Sequence, residues 1–312
     1  MTSQEGDAAY LPMEVSFIIS IIINSIACPF TVVLNARVIM AVKERPRLRT
    51  NSNILLACLA VTDLFTGLLG QPSFILWRVF LFLGLKSSRT VGSFHFDALA
   101  VFVVASYVHL MLVTLERLIA IKFTMFYSKI VTGHNMKMAV SVAWIIAFMC
   151  GVFNVLKMYH VLLPMGGLIT FSCIVFVALA YAILYHETRR HQRKIKAQLL
   201  PKEEVERFTK ENKALKTTVL VIVAVVVCVL PLCFCQITMS TGLYNYCPIN
   251  VLVLQTFVMF NSLVNPLIYC WRQKEMRKFI FRMRTQVVHP VIQWKWEGGK
   301  TEKLVNYLWT LF

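Results

Sequence analysis

Long apolar runs alternate along this chain with short, mostly basic polar segments. A helix needs roughly 20 apolar residues to cross about 30 Å of hydrocarbon. Seven runs meet that length, at about 14–42, 51–77, 92–123, 135–158, 163–190, 205–241 and 248–271. Open strands cannot satisfy their backbone in lipid, so the runs are read as helices. A basic amphipathic stretch follows at 274–284. The pattern predicts an all-α fold, a seven-transmembrane helix bundle with a short amphipathic eighth helix. Residues 1–13 form an extracellular N-terminal tail, 14–284 the membrane domain and 285–312 a cytoplasmic tail.

The charges test whether these runs fit together. With the N-terminus outside, the inner flanks collect Lys43, Arg45, Arg47 and Arg49, then Arg117, Lys122, Lys129 and Lys137, then the basic residues from Arg189 to Lys216 and from Arg272 to Arg284. The outer flanks hold only Arg78, Lys86, Arg89 and Lys157. This asymmetry selects an odd number of crossings and a cytosolic C-terminus; a multi-pass protein of the plasma membrane is expected. Composition agrees: 58% apolar and 15% charged residues, with mean hydropathy +0.66, describe a surface that lipid must solvate. A net charge of +17 would suit nucleic acid if it covered one face, but it is parcelled between apolar runs, so no nucleic-acid partner is expected. The start from Met1 to Glu14 has acidic and no basic residues, so no cleavable leader is expected.

Eight of the nine cysteines, Cys28, Cys58, Cys150, Cys173, Cys228, Cys233, Cys235 and Cys270, lie inside apolar runs and read as small packing residues. Only Cys247 falls in an expected loop, so no extracellular pair is expected to oxidise. The tail carries Trp294, Trp296 and Trp309 among lysines, which suits either a headgroup surface or a disordered segment.

Polar groups inside hydrocarbon cost several kcal/mol unless partnered, so each needs a reason. Asn35, Asp63, Ser106, Asn261, Ser262 and Asn265 all fall at mid-membrane depth in four different runs. One carboxylate ringed by hydroxyl and amide oxygens is the donor set a small hard cation such as Na⁺ takes, with waters completing the shell. Asp63, Ser106, Asn261 and Asn265 are the candidate ligands, and no other cofactor is expected. The same set also works as a plain hydrogen-bond network. Glu116 and Arg117 close the third run, and Glu211 near the start of the sixth offers Arg117 a second carboxylate, so Arg117 is placed to tie two helices together. Pro266 removes a donor from the seventh run, and Asn265 is the expected partner for the carbonyl it frees; Pro231 is expected to kink the sixth.

Taken in order, these residues resemble the rhodopsin-like G-protein-coupled receptors from about Asn35 to Arg284. The resemblance is carried by Asn265-Pro266-x-x-Tyr269 preceded by Asn261, by Leu59-Ala60-x-x-Asp63, by Glu116-Arg117 followed by Ala120, Ile121 and Tyr127, by Trp144 and Tyr181, and by Lys274-Glu275-Met276-Arg277-Lys278-Phe279. It implies that an extracellular ligand shifts a population toward a state that accepts a heterotrimeric G protein, with Arg117, Tyr181 and Tyr269 rearranging together and Met125 packing against the G protein. Departures from the family pattern are Leu118, Thr124, Cys173, Val229 and Gly92, where a tyrosine, two prolines, a tryptophan and a cysteine are usual. Without that cysteine, and with a short loop after the fourth run, the family's outer disulfide should be absent. These features resemble melanocortin receptors and, in part, the lipid receptors near them.

Counting back from Arg117, the inward positions of the third run include His95, Phe96, Leu99, Ala100 and Val103, facing Leu232, Cys233 and Gln236 in the sixth and Gln255 and Met259 in the seventh. This lining is apolar with few polar fixings. Leu99 stands where an amine receptor carries its aspartate, and Met259 where an opsin carries its retinal lysine. Asp97 and His95 are the acid and the imidazole near the mouth, so a lipid-like or small hydrophobic ligand with one cationic or hydrogen-bonding group is expected, a short peptide being the other candidate. The competing class is a transporter or channel using Asp63 as an ion relay. Scattered histidines without metal spacing argue against an enzyme.

Overall fold

The computed structural model describes residues 4–196, 251–281, 291–297 and 300–306, with positions 202–203, 205–206, 209, 223 and 227–228; side chains are described over 15–158, 168–190, 253–271, 273–281 and those isolated positions. The helices are α1 (Gln4–Glu44), α2 (Asn51–Phe65), α3 (Gln71–Phe82), α4 (Ser88–Lys122), α5 (Tyr127–Ile130), α6 (Gly133–Val155), α7 (Tyr159–Lys196), α8 (Val251–Arg272) and α9 (Lys274–Phe281). Among the described residues six spans are long and apolar enough to cross a membrane. The sixth expected run, 205–241, lies largely outside the described residues.

The polarity of α1 is inverted relative to a helix in water. Its exposed stripe is Ile18, Ile22, Ile26, Phe30 and Val33, while its buried stripe includes Ser20, Asn24, Thr31 and Asn35. Both repeat at helical spacing, so the apolar face meets lipid and the polar face meets other helices. The backbone of α1 is already helical at Gln4, well inside the tail expected at 1–13.

Two helix starts follow from local capping. Thr50 accepts from the backbone N–H of Asn53 at 3.3 Å, and Thr132 accepts from that of Asn135 at 3.2 Å. α2 runs into α3 through a π-helical segment, Thr66–Gly70, just before Pro72, whose missing N–H lets the ladder relax to the wider spacing.

α4 is the central element, packed against α2, α3, α6 and α7; α1 packs against α2, α3 and α8. Its contact with α6 uses small residues, Ala143, Ala147, Cys150 and Gly151, all buried. A Cβ on Gly151 would collide with Val101 Cγ2, so glycine there leaves room for the Val101 side chain of α4. α9 buries Met276 and Ile280, Arg37 Nη1 donates to the Ile280 carbonyl at 2.5 Å, and Arg45 lies over the Phe279 ring at 5.6 Å.

The chain divides into two compact units, Met1–Ile280 and Phe281–Phe312. The second contains an antiparallel hairpin of β1 (Val291–Glu297) and β2 (Lys300–Asn306), with Glu297 opposite Lys300. A tail read as surface-bound or disordered thus has paired backbone there. Period-two alternation around Gly298-Gly299 is a hairpin signal, and it accounts for the pairing.

Candidate functional site

The midplane network forms where α1, α2, α4 and α8 meet. Asp63 is 1% exposed, and its Oδ2 accepts from Asn265 Nδ2 at 2.8 Å. Ser106, Asn261 and Ser262 are buried as well. Asn35 donates through Nδ2 to the Ser262 carbonyl at 2.9 Å. That carbonyl is the one Pro266 leaves without a helical donor, so the expectation that Asn265 would satisfy it is corrected: Asn35 on α1 does so, and Asn265 is committed to Asp63. Asn35 Oδ1, Asp63 Oδ1, Asn261 Oδ1, Asn265 Oδ1 and the Tyr269 hydroxyl are buried without a hydrogen-bond partner. Of the expected cation ligands, Asp63, Asn261 and Asn265 each keep such an oxygen, a type of donor that a small hard cation takes.

A second cluster closes the far end of α4. Glu116 and Arg117 are 3% and 5% exposed. Arg117 grips the Glu116 carboxylate through Nε to Oε2 at 2.6 Å and Nη2 to Oε1 at 2.9 Å. The same carboxylate accepts from Ser52 Oγ at 3.0 and 2.9 Å and from the Tyr127 hydroxyl at 2.7 Å. Tyr127 in turn accepts from Asn51 Nδ2 at 3.3 Å. One carboxylate therefore latches the start of α2, the end of α4 and the loop beyond it. Burial and the neighbouring Glu116 push the Tyr127 hydroxyl pKa up to about 12, so it stays a donor throughout the physiological range. Beside this latch Met125 is 86% exposed in a short 3-10 turn, Thr124–Phe126.

At the opposite end of α4, His95 is fully buried, with Nδ1 3.1 Å from Ser73 Oγ and 3.2 Å from the Gly70 carbonyl. Trp77 stacks on His95 at 5.7 Å and meets Phe96 edge-on at 5.1 Å. A Cβ on Gly92 would come within 2.6 Å of Trp77 Nε1, so glycine here lets the indole lie against the α4 backbone. Arg78 is 5% exposed, over the Trp77 ring at 3.7 Å, and donates through Nη2 to Gln255 Oε1 at 3.2 Å. Asp97 accepts from Asn154 Nδ2 at 2.8 Å and so engages α6.

The family model for the 7 transmembrane receptor (rhodopsin family) matches residues 34–163 and 155–269. The chain belongs to that family. It is a G-protein-coupled receptor and a multi-pass membrane protein, and this membership leaves no ground for reading Asp63 as part of a transporter or channel, or for enzyme activity. It is 22% identical to the adenosine receptor A2a of Canis lupus familiaris over 313 residues, covering 88% of this chain and 72% of that one. It is 25% identical to the cannabinoid receptor 1 of Xenopus laevis over 280 residues, covering 80% and 59%. It is likewise 25% identical to the melanocortin receptor 5 of Bos taurus over 255 residues, covering 78% and 77%.

Several expected site residues of the receptor come together. Asp63 and Asn265 bond directly, Glu116 and Arg117 pair, and Tyr269 and Met259 are both fully buried on α8 beside buried Gln255. Leu99, Ala100 and Val103 are half-buried on α4. Phe96 is 42% exposed and packs against Trp77 and His95, while His95, about 100° around the helix from it, is fully buried. Tyr181 is 37% exposed and has no hydrogen bond among the described residues. Glu211, Pro231, Leu232, Cys233 and Gln236 lie outside the described residues, as do Val229, Cys235, Cys247 and the side chains of the tail tryptophans. The six described cysteines, Cys28, Cys58, Cys150, Cys173, Cys228 and Cys270, are free.

Two departures from the family pattern have local reasons. Thr124 Oγ1 donates to the Ala120 carbonyl at 3.0 Å, holding the turn where a proline is usual. Cys173 Sγ donates to the Tyr107 carbonyl at 3.7 Å, tying α7 to α4. The residues that sequence reasoning missed are Ser52, Asn51, Trp77 and Arg78. Ser52 and Asn51 resemble ordinary capping residues at a helix start, and Arg78 reads as one more flanking charge.

Proposed function

We propose that this receptor sits in the plasma membrane with its N-terminus outside and its tail in the cytosol, and that it relays a small hydrophobic or lipid-like extracellular ligand to a heterotrimeric G protein. The observation that carries the signalling half is the Glu116 latch. A single buried carboxylate holds Arg117, Ser52 and Tyr127, so loss of its grip loosens its contacts to the arginine, the start of α2 and the following loop together. Met125, exposed beside the latch, is the apolar knob the G protein packs against. Arg117, Tyr181, Tyr269 and the Pro266 kink, with Glu211 and Pro231 of the sixth run, rearrange as the inner face opens.

The aromatic and apolar side chains of Phe74, Trp77, His95, Leu99 and Met259 at the other end support a hydrophobic ligand. The partnerless oxygens of Asp63, Asn261 and Asn265 support an allosteric Na⁺ held by Asp63, Ser106, Asn261 and Asn265 that favours the inactive state. A tag at each end of the chain, probed in intact and permeabilised cells, tests the orientation. G-protein activation by the full receptor against Arg117→Ala tests the coupling. Both ends labelled on one side, or equal activation with and without Arg117, would overturn the reading.

A further inference from the structure

We infer that the outer end of the bundle holds an anion subsite built on Arg78, for a small amphiphile that carries one carboxylate. This deepens the proposal above and rests on its placing the ligand at that end.

Arg78 is 5% exposed, yet no described ion pair includes it. Its partners are all neutral. Gln255 Oε1 takes one N–H at 3.2 Å, and the rings of Trp77, Phe74 and Phe17 lie 3.7, 5.0 and 5.8 Å from the guanidinium carbon. Nε is buried with no partner. Aromatic faces attract the cation but do not neutralise it, and a guanidinium out of water wants a counter-charge. By chain position the acids of this end are Glu5, Asp7, Glu14 and Asp97. Asp97 is turned to Asn154 on α6, and the side chains of the other three lie outside the described residues.

The chemistry of the missing partner follows from what remains. Stacking covers a face of the guanidinium and Gln255 occupies one of five N–H groups, so in-plane donors, Nε included, are left for a fork-shaped acceptor. Lys86 and Arg89 are exposed, so Arg78 is the single buried cation among the described residues of this end. One buried positive charge balances a monoanion, whereas a phosphate monoester would leave surplus negative charge out of water. The aromatic walls favour an apolar body behind the anion. The π-helical segment Thr66–Gly70 helps to set this geometry. The wider turn changes the direction in which α3 presents Arg78 relative to α2.

The test uses the full-length receptor in phosphatidylcholine nanodiscs near neutral pH, titrated with dodecanoate, dodecan-1-ol and dodecyl phosphate while thermal stability is followed. Dodecanoate is expected to stabilise the wild type, with dodecan-1-ol at least roughly tenfold weaker and dodecyl phosphate weaker than dodecanoate. Arg78→Gln should weaken dodecanoate by roughly a hundredfold. Gln255→Glu, which keeps the buried cation and supplies its counter-charge from within, should abolish the dodecanoate effect in a receptor that still folds. Equal stabilisation by the alcohol, tighter binding of the phosphate, or unchanged dodecanoate affinity in Gln255→Glu would each overturn the inference. G-protein activation by the wild type and by Arg117→Ala on the same preparations reports the receptor reading separately, since that comparison needs no ligand.

Discussion

Tyr127 shows how a residue outside the membrane can hold a residue inside it. Its hydroxyl donates to Glu116 at 2.7 Å, and its raised pKa, about 12, has burial as the first cause and Glu116 as the second. A tyrosine whose folded pKa lies above its unfolded value contributes stability that is complete below about pH 10 and is lost as pH rises toward about 12. The stability difference between wild type and Tyr127→Phe should therefore stay constant up to about pH 10 and shrink above it, read from melting curves across that range. A difference that fades below pH 8 would contradict the latch geometry. Asp63 makes a separate prediction. Asp63→Asn removes the charge but keeps a similar shape, so basal activity should lose its dependence on sodium while surface expression persists. A receptor whose response to sodium is the same before and after the change would end the cation proposal.

At the scale of elements, the cross-helix bond from Asn35 to the Ser262 carbonyl is what makes the Pro266 interruption tolerable. Asn35→Ala would leave a buried carbonyl without a donor, and a loss of about 1–3 kcal/mol is expected from chemical or thermal unfolding in detergent. Gly92→Ala tests the Trp77 packing in the same way. The indole is a rigid body, so a Cβ 2.6 Å from Nε1 displaces all of it, costing about 1–3 kcal/mol. Each contact joins two different helices and one partner of each is plain backbone, so neither was legible in the sequence. The midplane residues were legible, because Asp63 and Asn265 stand out as polar groups inside apolar runs. The inward row of α4 was only half legible. Residue counting selects a direction, and His95 and Phe96 cannot share it.

For the whole molecule, the inverted polarity of the helices was readable from composition and run length, since lipid and helix interior demand opposite surfaces. The latch was half readable: Glu116 and Arg117 are adjacent in sequence, whereas Ser52 is 64 residues away and looks like any polar residue at a helix start. The hairpin at 291–306 lies in a separate compact unit, where the short-period pattern competes with charge and tryptophan content that suit a surface segment equally well. Two polar clusters stand out in the bundle, one at the midplane around Asp63 and one at the end of α4 around Glu116, and the second is the part proposed to change on activation. If the second cluster restrains activity, removing the charge of Glu116 weakens its grip on Arg117 and loosens the latch. The direct measurement is basal nucleotide exchange on purified G protein by the full-length receptor in nanodiscs, comparing wild type, Glu116→Gln and Arg117→Ala. The account predicts that Glu116→Gln raises the rate about fivefold or more, as expected for a coupling of ~1–3 kcal/mol, and that Arg117→Ala brings it to the level of empty nanodiscs. Rates for all three that match empty nanodiscs, or a Glu116→Gln rate no higher than wild type, would contradict it.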